Sequence, residues 1–592
     1  MTKLSDYVVD YLIDSGVDTV FTVSGGGIMH LTDSLGKRQD KIGYLCNYHE
    51  QACAIAAEAY ARARHRVGVC LVTTGPGSTN ALSSIAGAWV DSVPVVVISG
   101  QVRTDLIADY SRVRQMGPQE INILDMVKPV TKYAATITDA STIKDELEKA
   151  FRIAQSGRPG PVWLNLPLDI QSAQIDLPPA EPQGPDRMEP EAQNMQQLKT
   201  LLSKATRPLL VLGNGIHLAG GHDLIGRLKD QLGIPAVLAW GGLDLLDEND
   251  PLNAGRFGPL GHRHANFAVQ TSDFLLSIGS SMSVSNIGFS TDTFSPDSIK
   301  IIVNSDPGEI EKMRPVPDLA IQADCKCFIE AMLAQTWDTA MDPRWLPTIQ
   351  EWKGRYPTVP DYRLDTQHVD SYVFVDRLSA HLHADDLILT GNGLDAWSLY
   401  QCLKVKKGQR AFTNINFGAM GWDLPACVGG AVAQRGKRTI LMTGDGSVQM
   451  NVQELLTLGF NKLNTFVFVL NNGGYESIRA TQNNHFGGHL VGADASSGVA
   501  NPDFELLARA NGLRYFCIAN HEQLERELGT IMQNDGPVLC ELKLSYHQSR
   551  SPRVMSRKRE DGKMESASLQ NMFPFLPPEE IQVNMNRFSN QD

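Results

Sequence analysis

The feature that most constrains this chain is one local grammar used three times. A β-branched run of strand length is followed by a glycine-containing turn, a segment of helical period and a second apolar run. Val67 to Thr73, Gly75-Pro76-Gly77, Thr79 to Trp89 and Val93 to Ser99 form the first instance. Pro208 to Leu212, Gly213-Asn214-Gly215, a helix through Leu232 and Ala236 to Ala239 form the second. The third runs from Thr439 to Met442 through Gly444-Asp445-Gly446 and a helix near Val452 to Phe460, ending at Thr465 to Leu470. Strands joined through a helix pair in parallel within one sheet, so the grammar predicts an α/β protein built of doubly wound parallel sheets. A chain of 592 residues is too long for one core. Two proline-rich stretches, Leu177 to Glu191 and Thr336 to Gln367, have linker composition. The predicted units are residues 1–175, 190–338 and 368–548, with a polar C-terminal tail over 549–592 whose basic run spans Arg550 to Arg559.

Composition removes several function classes. Hydrophobic residues at 42% and charged residues at 20% exclude a disordered chain and a coiled coil. A formal net charge of −13 argues against nucleic acid or an anionic membrane as main partner, because both require basic surfaces. Met1 to Val20 mixes acidic and apolar residues and lacks the pattern of a signal peptide, and the apolar runs are of strand length. These points predict a soluble, cytoplasmic protein. Nine scattered cysteines read as reduced thiols, and the pair Cys325 and Cys327 as small buried residues rather than metal ligands.

The strongest chemical signal is Gly444-Asp445-Gly446, with 24 residues (447 through 470) before Asn471-Asn472. Gly446 lets the backbone approach an anion without a β-carbon in the way, and the helix that follows points free N–H groups at it. Asp445 and Asn472, at two strand ends, are hard oxygen donors of the kind that hold Mg²⁺ on a diphosphate. The carbonyl of Gly474, before Tyr475, is a further candidate ligand, and Gly391-Asn392-Gly393 adds backbone donors. The competing reading is ordinary strand-end turns. A second signal is Glu50, in His49-Glu50-Gln51-Ala52 at a helix start, where an acid is also a common capping residue.

The run from His49 to Val102 resembles the pyrimidine-binding domain of the acetohydroxyacid synthase group of thiamine diphosphate enzymes. Ser156 to Val162, Gly418-Ala419-Met420-Gly421 with Leu424-Pro425, and the Gly444 and Asn471 motifs are similar to further family segments, in the family's order. The resemblance covers roughly residues 1 to 550. It implies a pyrimidine-binding domain, a central flavin-type domain and a diphosphate-binding domain, arranged as a homodimer or homotetramer with the cofactor between subunits. Glu50 would act on the aminopyrimidine ring. Gly393, Gly418, Met420, Gly446, Ser447 and Tyr475 would hold the cofactor, and Asp445, Asn472 and Gly474 the Mg²⁺. Pro76, Asn80 and Gln119 would line the first-domain side, with Gln119 donating to the reacting oxygen. FAD without a redox task would meet Gly213, Asn214, Gly215, Gly261, His262, Gly279, Ser280, Asn304, Ser305 and Asp324.

Two departures bear on the substrate. Acetohydroxyacid synthases carry an arginine two residues after the glycine corresponding to Gly279, where this chain has Ser281, and a tryptophan past the Asn-Asn, where it has Ala480-Thr481-Gln482. Losing the cation that faces an acceptor carboxylate costs orders of magnitude in specificity. The expected activity is decarboxylation of pyruvate or a similar 2-keto acid and transfer of the acyl unit to a ketone or aldehyde. Thr22 to Gly27, Arg114 to Glu120, Thr131-Lys132-Tyr133 and Met572 to Leu576 resemble enzymes of polysaccharide and deoxysugar pathways, which implies a nucleotide-linked keto-sugar acceptor. The alternatives are an acetolactate synthase, a 2-keto acid decarboxylase or oxidase, and a non-catalytic protein of the same fold.

Overall fold

The computed structural model describes residues 1–364, 367–558 and 564–588; Arg559, at the end of the basic run, lies outside them. Three six-stranded sheets, every neighbouring pair parallel, follow one another along the chain. The first holds β1 (Thr19–Thr22), β2 (Gly43–Cys46), β3 (Gly68–Val72), β4 (Val95–Gln101), β5 (Tyr133–Thr136) and β6 (Val162–Pro167). The middle sheet holds β7 (Pro208–Leu212), β8 (Ala236–Leu238), β9 (Asn253–Arg256), β10 (Phe274–Ile278), β11 (Ile299–Asn304) and β12 (Leu319–Gln322). The last holds β13 (Leu387–Thr390), β14 (Arg410–Phe412), β15 (Thr439–Gly444), β16 (Thr465–Asn471), β17 (Arg514–Ile518) and β18 (Val538–Lys543).

The outer sheets share one strand order, β2-β1-β3-β4-β6-β5 and β14-β13-β15-β16-β18-β17, whereas the middle sheet runs β9-β8-β7-β10-β11-β12. In each, the winding reverses beside the first strand, between β1 and β3, β7 and β10, and β13 and β15. Such a reversal opens a crevice at the carboxyl ends of the strands. The central strands are continuous apolar runs, rich in Val and Leu and buried, because helices cover both faces of a parallel sheet.

The helices that matter for the site are α1 (Glu50–Arg64), α2 (Pro76–Val90), α3 (Arg263–Thr271), α4 (Trp345–Arg355), α5 (Leu394–Cys402), α6 (Asp423–Gln434), α7 (Glu476–Phe486) and α8 (Pro578–Met585). The first and third domains meet where α1 crosses α6. A β-carbon at Gly429 would lie 2.0 Å from the Ala56 carbonyl oxygen, and one at Gly68 of β3 would lie 2.0 Å from that of Ala57. The alanine run in α1 is what lets backbones approach so closely on both sides. Beside this crossing, Arg62 pairs with Glu58 and Asp91 at 2.5 and 2.6 Å. The Trp422 indole donates to Glu58 at 2.8 Å and the Asn416 amide to Asp91 at 2.7 Å, so the buried charges are tied to both domains.

Two expectations change. The helix expected from Gly215 through Leu232 is broken into Gly215–Leu218, His222–Leu224 and Ile225–Leu232, because Gly220 takes a left-handed conformation (φ 69°) and turns the chain. The tail, expected to be polar up to an apolar Met572 to Leu576, packs an apolar side into the middle domain. Leu569 and Met572 are buried, Leu576 and Phe588 pack against the same core, and α8 lies against α3 and α4. Asn266 and Arg263 of α3 donate to the carbonyls of Leu569 and Pro574 at 3.1 and 2.7 Å, and the Trp352 indole donates to Asn584 at 2.9 Å. All nine cysteines are free thiols, with Cys325 and Cys327 buried at the start of helix Cys325–Leu333. Among the described residues no helix is long and apolar enough to cross a membrane.

Candidate functional site

The Gly444-Asp445-Gly446 turn sits where β15 ends, with β13 on one side and β16 on the other. Gly444 is in register with Leu470, which brings the Asn471-Asn472 turn alongside. Asp445 is 2% exposed. Its Oδ1 accepts the N–H of Gly446 at 2.9 Å, and its Oδ2 accepts the N–H of Gly474 at 2.9 Å and the Asn501 amide at 2.7 Å. Burial pushes this carboxyl up from the ordinary carboxylate range, against the donors that hold it down. Two glycines are dictated by close approach: a β-carbon at Gly446 would lie 2.0 Å from the Tyr475 ring, and one at Gly474 (φ 128°) would lie 2.4 Å from the Ala493 carbonyl oxygen. Asn472 is buried, and its Oδ1 accepts only a long contact, 3.4 Å, from Arg479, whose guanidinium lies over the Tyr546 ring at 3.9 Å.

Two more loops are bolted to this turn. The Ser447 hydroxyl accepts the Gly421 N–H at 2.8 Å, and the Asn451 amide donates to the Gly421 carbonyl at 2.7 Å, which fixes the Gly418 to Gly421 loop. Asn392 donates to the Ala419 carbonyl at 3.2 Å and joins the Gly391-Asn392-Gly393 turn to the same loop. Gly418 (φ 68°) and Met420 are exposed at its tip. Beneath Gly391 lies a pair that sequence reasoning missed, Asp395 and Asp423. A β-carbon at Gly391 would be 2.4 Å from Asp395 Oδ2 and 2.8 Å from Asp423 Oδ2. Asp395 Oδ1 accepts the Gly393 N–H at 2.7 Å, its Oδ2 has no partner, and burial beside Asp423 pushes it up to about 7. Burial raises Asp423 as well.

On the first domain, Glu50 opens α1 behind the cap residue His49, whose Nδ1 accepts the Gln51 N–H at 3.1 Å. Glu50 is half-buried, and its Oε2 accepts the Asn80 amide at 2.9 Å. Gly77 leaves room for the carboxylate, since a β-carbon there would be 3.2 Å from Oε1. Pro76 starts α2, and the Gly75 backbone abuts Gln119, where a β-carbon would meet the Gln119 carbonyl oxygen at 1.9 Å. Gln119 is in the left-handed region (φ 63°) in a loop. Glu50, Pro76, Asn80 and Gln119 thus gather at the ends of β3 and β4, the last three exposed. Just before Glu50, Asn47 donates to Glu454 at 2.7 Å and the Tyr48 N–H to the same carboxylate at 3.0 Å, so the first-domain edge is anchored to the segment after the Asp445 turn. Among the described residues no hydrogen bond joins Glu50 to Asp445 or Asn472.

The middle-domain positions behave differently. A β-carbon at Gly213 would lie 2.5 Å from the Gly279 carbonyl oxygen, and one at Gly215 would lie 2.7 Å from the Gly279 α-carbon. Gly261 abuts the Arg256 carbonyl oxygen, and a β-carbon at Gly241 would press on Asn214. His262 Nε2 bonds the Gln401 carbonyl oxygen at 2.7 Å, and its Nδ1 accepts the Arg256 N–H at 3.2 Å. Ser280 accepts from Met282, Asn304 from Asp306, and Asp324 caps its helix while pairing with Arg187 at 2.9 Å; the Ser305 carbonyl faces Gln322. These contacts use Ser280, Asn304 and Asp324 as acceptors, so they order the strand-end turns and leave the Ser280 hydroxyl and Asn304 amide donors for a ligand.

The third domain does fit a diphosphate with a divalent cation: Asp445 Oδ1 and Asn472 Oδ1 keep acceptor capacity, and Gly446 gives the backbone unobstructed access. Three parallel α/β domains with this turn at a strand end, and a carboxylate opening a helix in the first domain, define a class of cofactor-dependent enzymes that split their site between the outer domains.

Family models agree. Residues 2–126 match the thiamine pyrophosphate enzyme N-terminal TPP binding domain, 195–332 the central domain and 393–542 the C-terminal TPP binding domain. The acetolactate synthase large subunit of Parasynechococcus marenigrum is 32% identical over 560 residues, covering 92% of this chain and 88% of that protein. The acetolactate synthase of Arthrospira platensis is 31% identical, covering 92% and 95%, and the isozyme 2 large subunit of Escherichia coli 30%, covering 97% of each. The chain belongs to the thiamine pyrophosphate enzymes, in the acetolactate synthase-like family.

Proposed function

We propose that this protein is a carboligase that decarboxylates pyruvate or a similar 2-keto acid and adds the acyl unit to a ketone or aldehyde. The observation that carries the proposal is the buried Asp445 carboxylate at the turn beside Asn472, tied through Ser447 to the Gly418 loop. Thiamine diphosphate, when bound, supplies a nucleophilic carbon and an electron sink for the electrons released with carbon dioxide. Asp445 and Asn472 hold a divalent cation on its diphosphate, with the Gly474 carbonyl as third ligand. The Gly446, Ser447 and Gly393 backbones and Tyr475 complete that cradle, and the Gly418 backbone and Met420 hold the ring end. Glu50 hydrogen-bonds the aminopyrimidine, and Asn80 orients its carboxyl. Gln119, beside Pro76, donates to the reacting carbonyl oxygen.

Glu50, Asn80 and Gln119 face outward on one domain and Gly418 and Met420 on the other, with exposed Tyr48, Met116, Phe417 and Met450 near them. That pattern supports a homodimer in which each half-site is covered by the second copy, Glu50 of one chain facing Asp445 of its partner. A homotetramer would be two such pairs.

The acceptor is argued from two positions. Ser281 stands where an arginine would pair with an acceptor carboxylate, and Gln482 is occupied in holding Val491 through bonds of 3.0 and 3.1 Å. Arg550, meanwhile, stacks over Trp397 at 4.7 Å and reaches Ser477 and Glu476 at 3.4 Å beside the metal turn, with Arg553 repelled by it. Cations at that rim support an acceptor bearing phosphate, such as a nucleotide-linked keto-sugar. The second reading, acetolactate synthesis, is favoured by the names of the relatives. Mass spectrometry of products from labelled pyruvate with a panel of acceptors decides between them. A product joining the acetyl unit to a phosphorylated keto-sugar is expected, and acetolactate as the dominant product overturns the acceptor assignment.

A further inference from the structure

Three histidines from separate segments stack where the domains meet. His65 ends α1 at the seam with the middle domain, His217 lies in the helical turn Gly215–Leu218, and His222 opens the turn His222–Leu224. The His65 and His222 rings are 4.1 Å apart, and each is 5.4 Å from the His217 ring. One ring nitrogen from each lies within 4.8 Å of the other two.

The remaining nitrogens are directed at acceptors. His65 Nδ1 is 3.3 Å from the His217 carbonyl oxygen, His217 Nε2 is 2.8 Å from Asp244 Oδ1, and His222 Nε2 is 3.6 Å from Asp223. With those positions carrying the protons, His217 Nδ1 and His222 Nδ1 are left with lone pairs, buried and without a partner. An imidazole whose outer nitrogen is held by a carboxylate or carbonyl, as in His217 and His65, is the arrangement found behind metal-ligating histidines, because it sets the tautomer and the ring orientation. Asp244 is itself held: its other oxygen accepts from Arg410 and from the Ala411 N–H, at 2.7 and 2.8 Å, so the anchor reaches the third domain.

Stacking alone does not account for the group. Each unpaired buried nitrogen costs ~1–3 kcal/mol, and His65 holds the left-handed conformation (φ 51°, ψ 42°) at a helix end where glycine is the unstrained residue.

We propose that His65, His217 and His222 bind a borderline divalent cation of the zinc class, with a fourth coordination position open to water. Bonds of ~2.0–2.1 Å to such an ion draw the three nitrogens together, and His65, which is exposed, has room to turn. Three imidazoles select zinc-class ions over Mg²⁺, whereas the all-oxygen donors at Asp445 do the reverse, so the two sites do not compete. The ion would rivet α1 of the first domain to the middle domain, with Asp244 and Arg410 extending the tie to the third.

The test uses full-length protein without an affinity tag, stripped with chelator and returned to excess Mg²⁺. Zn²⁺ is titrated calorimetrically and Co²⁺ by its visible absorption, on the native protein, His65→Gly and His222→Ala. His65→Gly is chosen because glycine suits the left-handed backbone, so the fold is retained. One saturating Zn²⁺ per chain is expected, with a thermal midpoint raised by Zn²⁺. Loss of an outer-shell partner alone costs ~10–100-fold, so each variant should bind at least about tenfold more weakly. Absence of saturable binding in excess Mg²⁺ overturns the proposal, and so does binding that both variants leave unchanged.

Discussion

Asp395→Asn should stabilise the third domain, and increasingly so as pH rises. In the native protein Asp395 Oδ2 faces Asp423 with no donor between them, while Oδ1 accepts from Gly393. The carboxyl is pushed to about 7 against 3.8 for an ordinary aspartate. A folded-state value above the unfolded one means that its stability contribution is complete below pH 3.8 and is lost as pH climbs through 7. At ~1.36 kcal/mol per pH decade, that interval amounts to about 4 kcal/mol. The amide keeps an oxygen for the Gly393 N–H and supplies an N–H to Asp423, and it does not titrate. For a domain of this size ~1 kcal/mol moves the midpoint by 2–4 °C, so the variant should melt about 8–16 °C above the native protein at pH 8 and close to it at pH 4. Calorimetric scans at pH 4, 6 and 8 measure this directly. A gain that is absent at pH 8, or that is the same at all three values, would refute the crowding of two buried carboxyls beneath the Gly391 turn.

Three further outcomes follow from the site and the domain seam. Glu50→Gln should lower turnover by ~10²–10⁴-fold while thiamine diphosphate affinity, read by quenching of tryptophan fluorescence, changes little; full activity in the variant would remove Glu50 from the mechanism. Gly446→Ala drives a methyl group against Tyr475, an overpacking worth ~1–3 kcal/mol, and should weaken thiamine diphosphate binding by about tenfold; unchanged affinity would place the diphosphate elsewhere. Arg62→Met strands Glu58 and Asp91 as buried carboxylates, and removing one partner of such a group costs ~3–5 kcal/mol. Its thermal midpoint should fall at neutral pH and recover in part on acidification, since burial already raises Glu58; a midpoint equal to the native one would contradict the coupling.

The sequence shows features that are local along the chain. The three sheets follow from the strand, turn and helix grammar, and the pairing of the Asp445 and Asn472 turns follows from one helix separating adjacent parallel strands. What it hides is assembled across distance. Asp395 and Asp423 lie 28 positions apart and meet only because α5 and α6 both start under Gly391. Asn501 reaches Asp445 from a loop with no motif of its own, where an asparagine before Pro502 carries only the general signature of a turn. Helical periodicity carried the segment after Gly215 straight to Leu232, because a hydrophobic pattern does not register the left-handed turn at Gly220. In the tail, the apolar Met572 to Leu576 stretch stands out in the sequence, but nothing local along the chain shows that Leu569 and Leu576 pack on the middle domain's core.

The middle domain's α3 face is covered by residues that leave the ribosome after the entire third domain, so this domain cannot finish folding in order along the chain. It must wait with an open apolar face while a neighbour folds downstream, a state prone to mispairing in multidomain chains. Residues 569–588 act as the closing stitch of assembly, and a chain cut short after β18 would be released with its centre unsealed.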